Sequence, residues 1–330
     1  MNEILLLAAD DIKSILDGNE ELIMNLVADA YVDHNNGNSS LPQSVFLRFP
    51  NNKSNRIIGL PAYLGGNVNA AGMKWISSFP DNINHGIERA SAVLLLNNVE
   101  NGRVEAILES SVISAKRTAA SAALAAKLVH GNINEEVIGL IGCGRINYEI
   151  FSFLKAVYKK LRKVIAYDIN QERAENFLEK LKSDNFLVQQ ASSVVDVLNN
   201  APLTSFATTA GSPFLFDPSI LHPNSTILGI SLRDLSPDII LSSDNVVDDV
   251  EHVCRENTSI HLTEQLVGTR DFVRCTIADI ITKRQPKRIE GKPVIYSPFG
   301  LGVLDLSLGV YAKSRAKEKG LGLELKKFFS

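Results

Sequence analysis

The amino-acid sequence predicts an α/β protein in which a doubly wound parallel sheet is combined with a second, α+β domain. Three observations predict it. Strand-like and helical runs alternate after Gly131-Asn132, whereas earlier strand-like runs follow one another without helices. A long Ala-rich segment separates the two rhythms. Alternation implies parallel strands joined by right-handed crossovers, and consecutive strands imply a meander or mixed sheet. The 330 residues are too many for one simple core and suit two domains.

In order, Ile4–Ala9 follows Met1-Asn2-Glu3 and runs into Asp10-Asp11, with no basic segment before it. It reads as a short strand and a helix start rather than a secretion signal. Leu22, Leu26 and Ala30 recur at helical spacing over residues 20–35. Val45, Leu47 and Phe49 alternate as in a strand, and further strands are expected at 56–60, 73–76, 91–96 and 104–108. Residues 111–129 form a helix, alanine being the best helix former. Then come strand 137–141, helix 145–159, strand 164–167, helix 171–182, strand 186–189, a short helix near 194–198, and strands at 203–207, 226–230 and 245–247. The basic stretch 283–293 reads as a solvated loop, and 303–319 as a last helix that packs back on the first domain.

Composition excludes several classes. With 34 Lys+Arg against 37 Asp+Glu, the net charge of −3 does not suit a nucleic-acid binder. No run reaches the length needed to span a bilayer. Three cysteines without a CxxC pair point to a reducing compartment, the cytoplasm, rather than a disulfide framework. The acidic segment Asp248-Asp249-Val250-Glu251-His252 lacks metal-ligand spacing, so no metal is expected.

The chemistry concentrates in a few places. Strand 137–141 runs into Gly142-Cys143-Gly144 and a helix, and Asp168 ends the next strand. The first glycine permits a tight turn, and the second lets backbone approach a pyrophosphate at a helix N-terminus. A carboxylate at Asp168 accepts the ribose hydroxyls of NAD and repels a 2′-phosphate. This is the Rossmann-type arrangement, with one departure: Asn147 stands at the third motif position, where a small residue packs helix on strand. Cys143 reads as a small residue filling the turn.

Arg117 lies on the stripe Ile113, Leu124, Leu128 of the Ala-rich helix, which should face inward. A guanidinium there needs an anionic partner, either a ligand or an internal carboxylate. Lys74 sits in the nearly apolar run Ala70–Ile76, while Arg48 by itself reads as an outward strand residue. Asp234 follows strand 226–230, at the strand end where open α/β sheets bind ligands.

Arg117-Thr118-Ala119-Ala120, Gly142-Cys143-Gly144, Asp168 and Asp234 together resemble the ornithine cyclodeaminase/mu-crystallin family over essentially the whole chain. The resemblance implies an NAD-binding domain, 120–302, inserted into a substrate-binding and dimerisation domain made of 1–119 plus 303–330, in a homodimer. Met73–Ile76, Glu88–Ser91, Ser231–Pro237 and Ser297–Gly302 are similar to the branch that cleaves N-(2-amino-2-carboxyethyl)-L-glutamate oxidatively. That branch supplies 2,3-diaminopropionate to siderophores and peptide antibiotics. Cyclodeaminases follow the catalytic aspartate with Pro-Gly-Lys, whereas Leu235-Ser236-Pro237 follows Asp234 here.

By the resemblance, Arg48, Lys74 and Arg117 hold the α-carboxylate of a small amino-acid substrate, with Phe299 nearby. Asp234 exchanges a proton with the substrate nitrogen, and Lys74 assists catalysis. Gly142, Gly144, Arg145, Ile146, Asp168, Thr118, Thr208, Leu228, Gly229, Ile230, Ser231 and Arg89 line NAD. Ornithine cyclisation, ketimine reduction and non-catalytic cofactor binding are the alternatives on the same scaffold.

Overall fold

The structure, a computed structural model, describes residues 3–182 and 184–329; Met1 and Asn2, read above as leading into the first strand, lie outside them. The chain forms two units. One comprises the residues up to Arg117 and from Leu301 onward, and the other Thr118–Gly300.

The first unit begins with β1 (Glu3–Leu7), α1 (Ala9–Leu16), α2 (Glu20–Asn35) and β2 (Ser39–Ser40). The strands β3 (Val45–Phe49), β4 (Asn52–Leu64), β5 (Ala70–Ser78), β6 (Ala90–Asn97) and β7 (Val104–Glu109) follow, then α3 (Ser111–Val129), which runs into the second unit. The stripe expected on α2 is out of phase. Leu22 is exposed, while Ile23, Met24, Val27, Ala30 and Tyr31 are buried. Two overlapping apolar stripes run along this helix, and packing selects the one that carries Tyr31. On α3, Ile113 and Leu124 are buried but Leu128 is exposed. The helix is otherwise enclosed on nearly every side from Val112 to Ala126.

The second unit contains β8 (Val137–Ile141), α4 (Arg145–Val157), β9 (Lys163–Tyr167), α5 (Gln171–Lys182), β10 (Leu187–Gln190), α6 (Val194–Asn200), β11 (Leu203–Phe206) and β12 (Thr226–Gly229). It continues through α7 (Pro237–Leu241), β13 (Asp244–Val247), α8 (Val250–Val253), α9 (Ser259–Val267), β14 (Val273–Thr276), α10 (Ile277–Ile281) and β15 (Val294–Ser297). The strand order is β10-β9-β8-β11-β12-β15-β13-β14, with every pairing parallel. The order reverses between β8 and β11, so the crevice at the carboxyl end of β8 is the topological switch point. β14 and β15, and the short helices α7 to α10, are absent from the sequence expectations; β15 begins directly after the basic stretch 283–293 read as a loop.

The chain then returns to the first unit as α11 (Gly302–Lys319) and β16 (Leu323–Lys326). The sheet of this unit runs β16-β1-β7-β6-β5-β4-β2, with β3 also on β4. Residues 60, 74, 94 and 108 are cross-strand partners and share one face. That face carries α11. A Cβ on Gly302 would touch Ala62, and one on Gly309 would overlap Leu94, so glycine lets the helix settle onto the sheet. The other face bears Val45, Gly59, Trp75 and Val93 as one cross-strand row, with Val45, Trp75 and Val93 exposed.

Candidate functional site

In the first unit the charged residues meet a buried carboxylate. Lys74 lies mid-strand on β5 between Leu60 and Leu94 and is only 2% exposed. Its Nζ donates to Asp305 Oδ2 at 2.8 Å and to Ser114 Oγ at 3.3 Å. Arg117, on α3, donates from Nε to Asp305 Oδ1 at 3.4 Å and from Nη2 to Ser114 Oγ at 3.4 Å. Asp305 is fully buried on α11. Burial first, and then the Arg117 charge, lowers the Lys74 pKa to about 8, against the pull of Asp305. The Glu109 carboxylate accepts the N–H groups of Ser111 and Val112, which fixes the start of α3 and hence the height of Arg117.

Arg48 does not join this cluster. Opposite Arg56 on β4, it shares a face with Lys74 but lies two strands across and four positions along, roughly 10 by 13 Å. It is exposed, with its guanidinium 5.4 Å from the centre of the Phe46 ring. Arg89 donates to Ser78 Oγ at 3.3 Å, and burial together with nearby Arg56 lowers its pKa.

In the second unit the glycine turn has a dinucleotide-binding shape. Gly142 has φ +90°, and a Cβ there would lie 2.5 Å from Ala207 O. Gly144 precedes α4 with open space where its side chain would stand, and Arg145 and Ile146 form the first turn. Asp168 Oδ2 accepts the N–H of Cys143 at 2.8 Å, and Oδ1 that of Asn170 at 2.9 Å. Asn147, in the place of the motif's small residue, ties helix to strand by hydrogen bonds. Its Nδ2 donates to Ile141 O and Gly142 O, its Oδ1 accepts from Ser205 Oγ, and the side chain is fully buried. A satisfied amide thus joins α4 to β8 and β11 where the motif ordinarily relies on a small residue. Burial drives the Cys143 thiol up to about 12, which disfavours the reactive thiolate and suits a residue that fills the turn.

Asp234 lies just past β12 and is 2% exposed. Thr208 donates its hydroxyl to Oδ1, and Ser231 donates to Oδ2. Burial raises the Asp234 pKa, opposed by those two hydroxyls and by Arg233. The turn that presents it is strained, since Leu232 has φ +75°. It is pinned by Ser259 N–H to Leu232 O at 2.7 Å and by the Arg233 guanidinium to Glu256 O.

Leu228 and Gly229 end β12, and Ile230 and Ser231 follow, half-buried. Thr118 is half-buried on α3. Phe299 packs against the core of this unit. Its N–H and that of Gly300 donate to the buried Asp248 carboxylate at 2.9 and 2.7 Å. Among the described residues, no group of three His, Cys, Asp or Glu side chains is placed to hold a metal, and no helix is long and apolar enough to cross a membrane.

Sequence reasoning missed Asp305, the role of Asp248 in holding Phe299 and Gly300, and the bonding of Thr208 and Ser231 to Asp234, both of which it named only as cofactor-lining. Asp305 alone had a readable signal. Gly302, Asp305, Leu306 and Gly309 share one helix face, the same pattern that exposed Arg117.

The profile of the ornithine cyclodeaminase/mu-crystallin family matches residues 5–320. The chain is 25% identical over 334 residues to N-((2S)-2-amino-2-carboxyethyl)-L-glutamate dehydrogenase of Staphylococcus aureus, covering 98% of each chain. It superimposes with TM-score 0.89 and 22% identity on Thermococcus litoralis Δ1-pyrroline-2-carboxylate reductase in complex with NADH and L-proline, covering 97% of this chain and 99% of that one. An archaeal alanine dehydrogenase dimer with bound NAD matches with TM-score 0.87 and 24% identity, over 99% of this chain and 100% of that one.

Proposed function

The chain belongs to the ornithine cyclodeaminase/mu-crystallin family, and from that premise we propose that it is an NAD-dependent oxidoreductase cleaving the C–N bond of an amino-acid adduct. The substrate we assign is N-(2-amino-2-carboxyethyl)-L-glutamate. The observation that carries the reading is Asp234, a buried carboxylate with both oxygens engaged by hydroxyls beyond a strand end. Burial raises its proton affinity, the direction that favours acid–base work at neutral pH. Full-length similarity to the staphylococcal dehydrogenase, and Leu235-Ser236-Pro237 after Asp234, support the choice of substrate.

The residues suit NAD. The tight turn at Gly142, where a Cβ would strike Ala207 O, the open flank of Gly144 and the carboxylate of Asp168 are the features a pyrophosphate and an unphosphorylated ribose require. Bound NAD supplies the hydride acceptor. Lys74 and Arg117 hold the substrate α-carboxylate, with Arg48 at the outer end of the same sheet face. Asp234 accepts the N–H proton as the Cα–N bond of the substrate becomes an imine. Water then adds to the imine carbon, the C–N bond breaks, and 2-oxoglutarate and 2,3-diaminopropionate leave.

Purified protein given NAD⁺ and the adduct should form NADH and 2-oxoglutarate in equal amounts; no NADH would sink the assignment. The same assay fixes the pH dependence. Lys74 loses its charge above about 8, so kcat/KM should fall on the alkaline side as the carboxylate loses an anchor. On the acid side it should fall as Asp234 gains a proton, at a pH above the ordinary aspartate value because burial raises that pKa. A flat profile would contradict both roles. NADH consumption with a cyclic ketimine, without oxidation of the adduct, would instead identify an imine reductase.

The homodimer is part of the same proposal. The exposed row Val45, Trp75, Val93 is an apolar sheet face on which a second copy can pack, and the matched archaeal enzyme is a dimer. Sedimentation should give a dimer for the native chain and monomers for Trp75→Arg. A monomeric native chain would refute it. The three free, buried cysteines suit a reducing, cytoplasmic setting.

A further inference from the structure

We propose that Asp305 is the positioning residue of the carboxylate anchor, holding Lys74 and Arg117 together as a cationic pair with one net positive charge. The inference rests on the anchoring role assigned above. Each oxygen of Asp305 engages one cation, Oδ2 with Lys74 and Oδ1 with Arg117 Nε. Two cations so close together and so buried repel each other, and burial alone favours the neutral amine at Lys74.

Among the described residues, Asp305 is the carboxylate that acts on Lys74. On the flanking strands the partners of Lys74 are Leu60 and Leu94, and from α3 it meets Arg117 and Ser114. Lys116, next on α3, pairs with Asp17 at 2.7 Å instead. From α11 comes Asp305 alone.

A purely structural ion pair would balance one charge with one charge. Here the cations exceed the anions by one, and donors are left over. Among the described residues, Lys74 donates two of its three N–H groups and Arg117 two of its five. A net charge of +1 with unused donors on both cations is a receptor for one carboxylate. Asp305 sets the protonation of Lys74 and the aim of Arg117 Nε without itself meeting the ligand.

The experiment follows the lysine directly. Protein labelled with ¹³C at lysine Cε is titrated by NMR, with the Lys74 resonance assigned from Lys74→Arg. The native midpoint is expected near 8. In Asp305→Asn it should fall by about one unit or more, and in Asp305→Glu, which keeps the anion, it should stay within roughly half a unit. With the adduct as substrate, both variants should raise KM about tenfold or more, with a smaller change in kcat. NAD affinity, measured by calorimetry, should match the native chain in both and reports that the fold is intact.

A midpoint unmoved in Asp305→Asn, or lowered equally in both variants, overturns the proposal. If Asp305→Asn does not fold, Asp305→Glu decides: a native midpoint with raised KM supports it, and native values of both overturn it. A native chain inactive toward the adduct would remove the substrate assignment, while the lysine midpoint would still test Asp305.

Discussion

Asp234→Asn should lower kcat by about 10²- to 10⁴-fold, the range for loss of a positioned acid–base group, while NAD binding persists. The amide has the shape of the carboxylate but cannot take up the substrate proton. It also meets two donors, the hydroxyls of Thr208 and Ser231, with only one accepting oxygen. One hydroxyl must therefore rotate and accept from the amide, which keeps the side chain in place. The acid limb of the pH profile should vanish with the carboxyl that causes it. Retention of a tenth or more of native kcat would show that another group carries the proton. Loss of NAD affinity, measured by calorimetry, would show that Asp234 serves the cofactor instead.

Gly142→Ala should abolish cofactor binding, raising the NAD dissociation constant about 100-fold or more, equivalent to about 2.7 kcal/mol. Two effects add. At φ +90° an L side chain is strained, at a cost of about 1–3 kcal/mol. Its Cβ would also lie 2.5 Å from Ala207 O and 2.9 Å from Ala207 C. These are backbone atoms just past the end of β11, held by the Ala207 N–H to Ile141 O bond, so neither can swing aside as a side chain would. The turn must move, and with it the start of α4. Titration of NAD by calorimetry checks this; an affinity within threefold of native would mean that the turn does not cradle the cofactor. Gly144→Ala separates the two causes: nothing in the protein stands within 4 Å of its Cβ, so a loss of affinity there reports the space the pyrophosphate needs rather than a displaced turn.

The features legible in the sequence were those with local signatures. The bounds of α3 follow from its alanine content, and the glycine turn from strand, turn and helix in succession. Arg117 stood out as a charge on an apolar stripe, and the structure gives it a buried carboxylate. Asp305 showed the same signature but sits between glycines and leucines whose role, contact with β4, β5 and β6, only the packed sheet reveals. The bond from Thr208 to Asp234 could not be read, although Ser231 lies in the same short segment as the aspartate. Thr208 and Asp234 come from different loops, and nothing local links them. Asn147 reads in the sequence only as a departure from the motif, because Ser205, which completes its hydrogen bonds, lies on a neighbouring strand. The phase of α2 failed for a different reason: two apolar faces competed, and only burial of Tyr31 decides between them.

The return of the chain to its first unit has a consequence for synthesis. Proteins begin to fold from the N-terminus as they leave the ribosome. The parallel sheet has all its strands once Ser297 has emerged. The other sheet must wait. β1 keeps an open edge until β16 arrives, and Lys74 and Arg117 have no carboxylate between them until α11 brings Asp305. A nascent chain stalled near Gly300 therefore carries a finished nucleotide fold beside two like charges that still oppose closure of their own core.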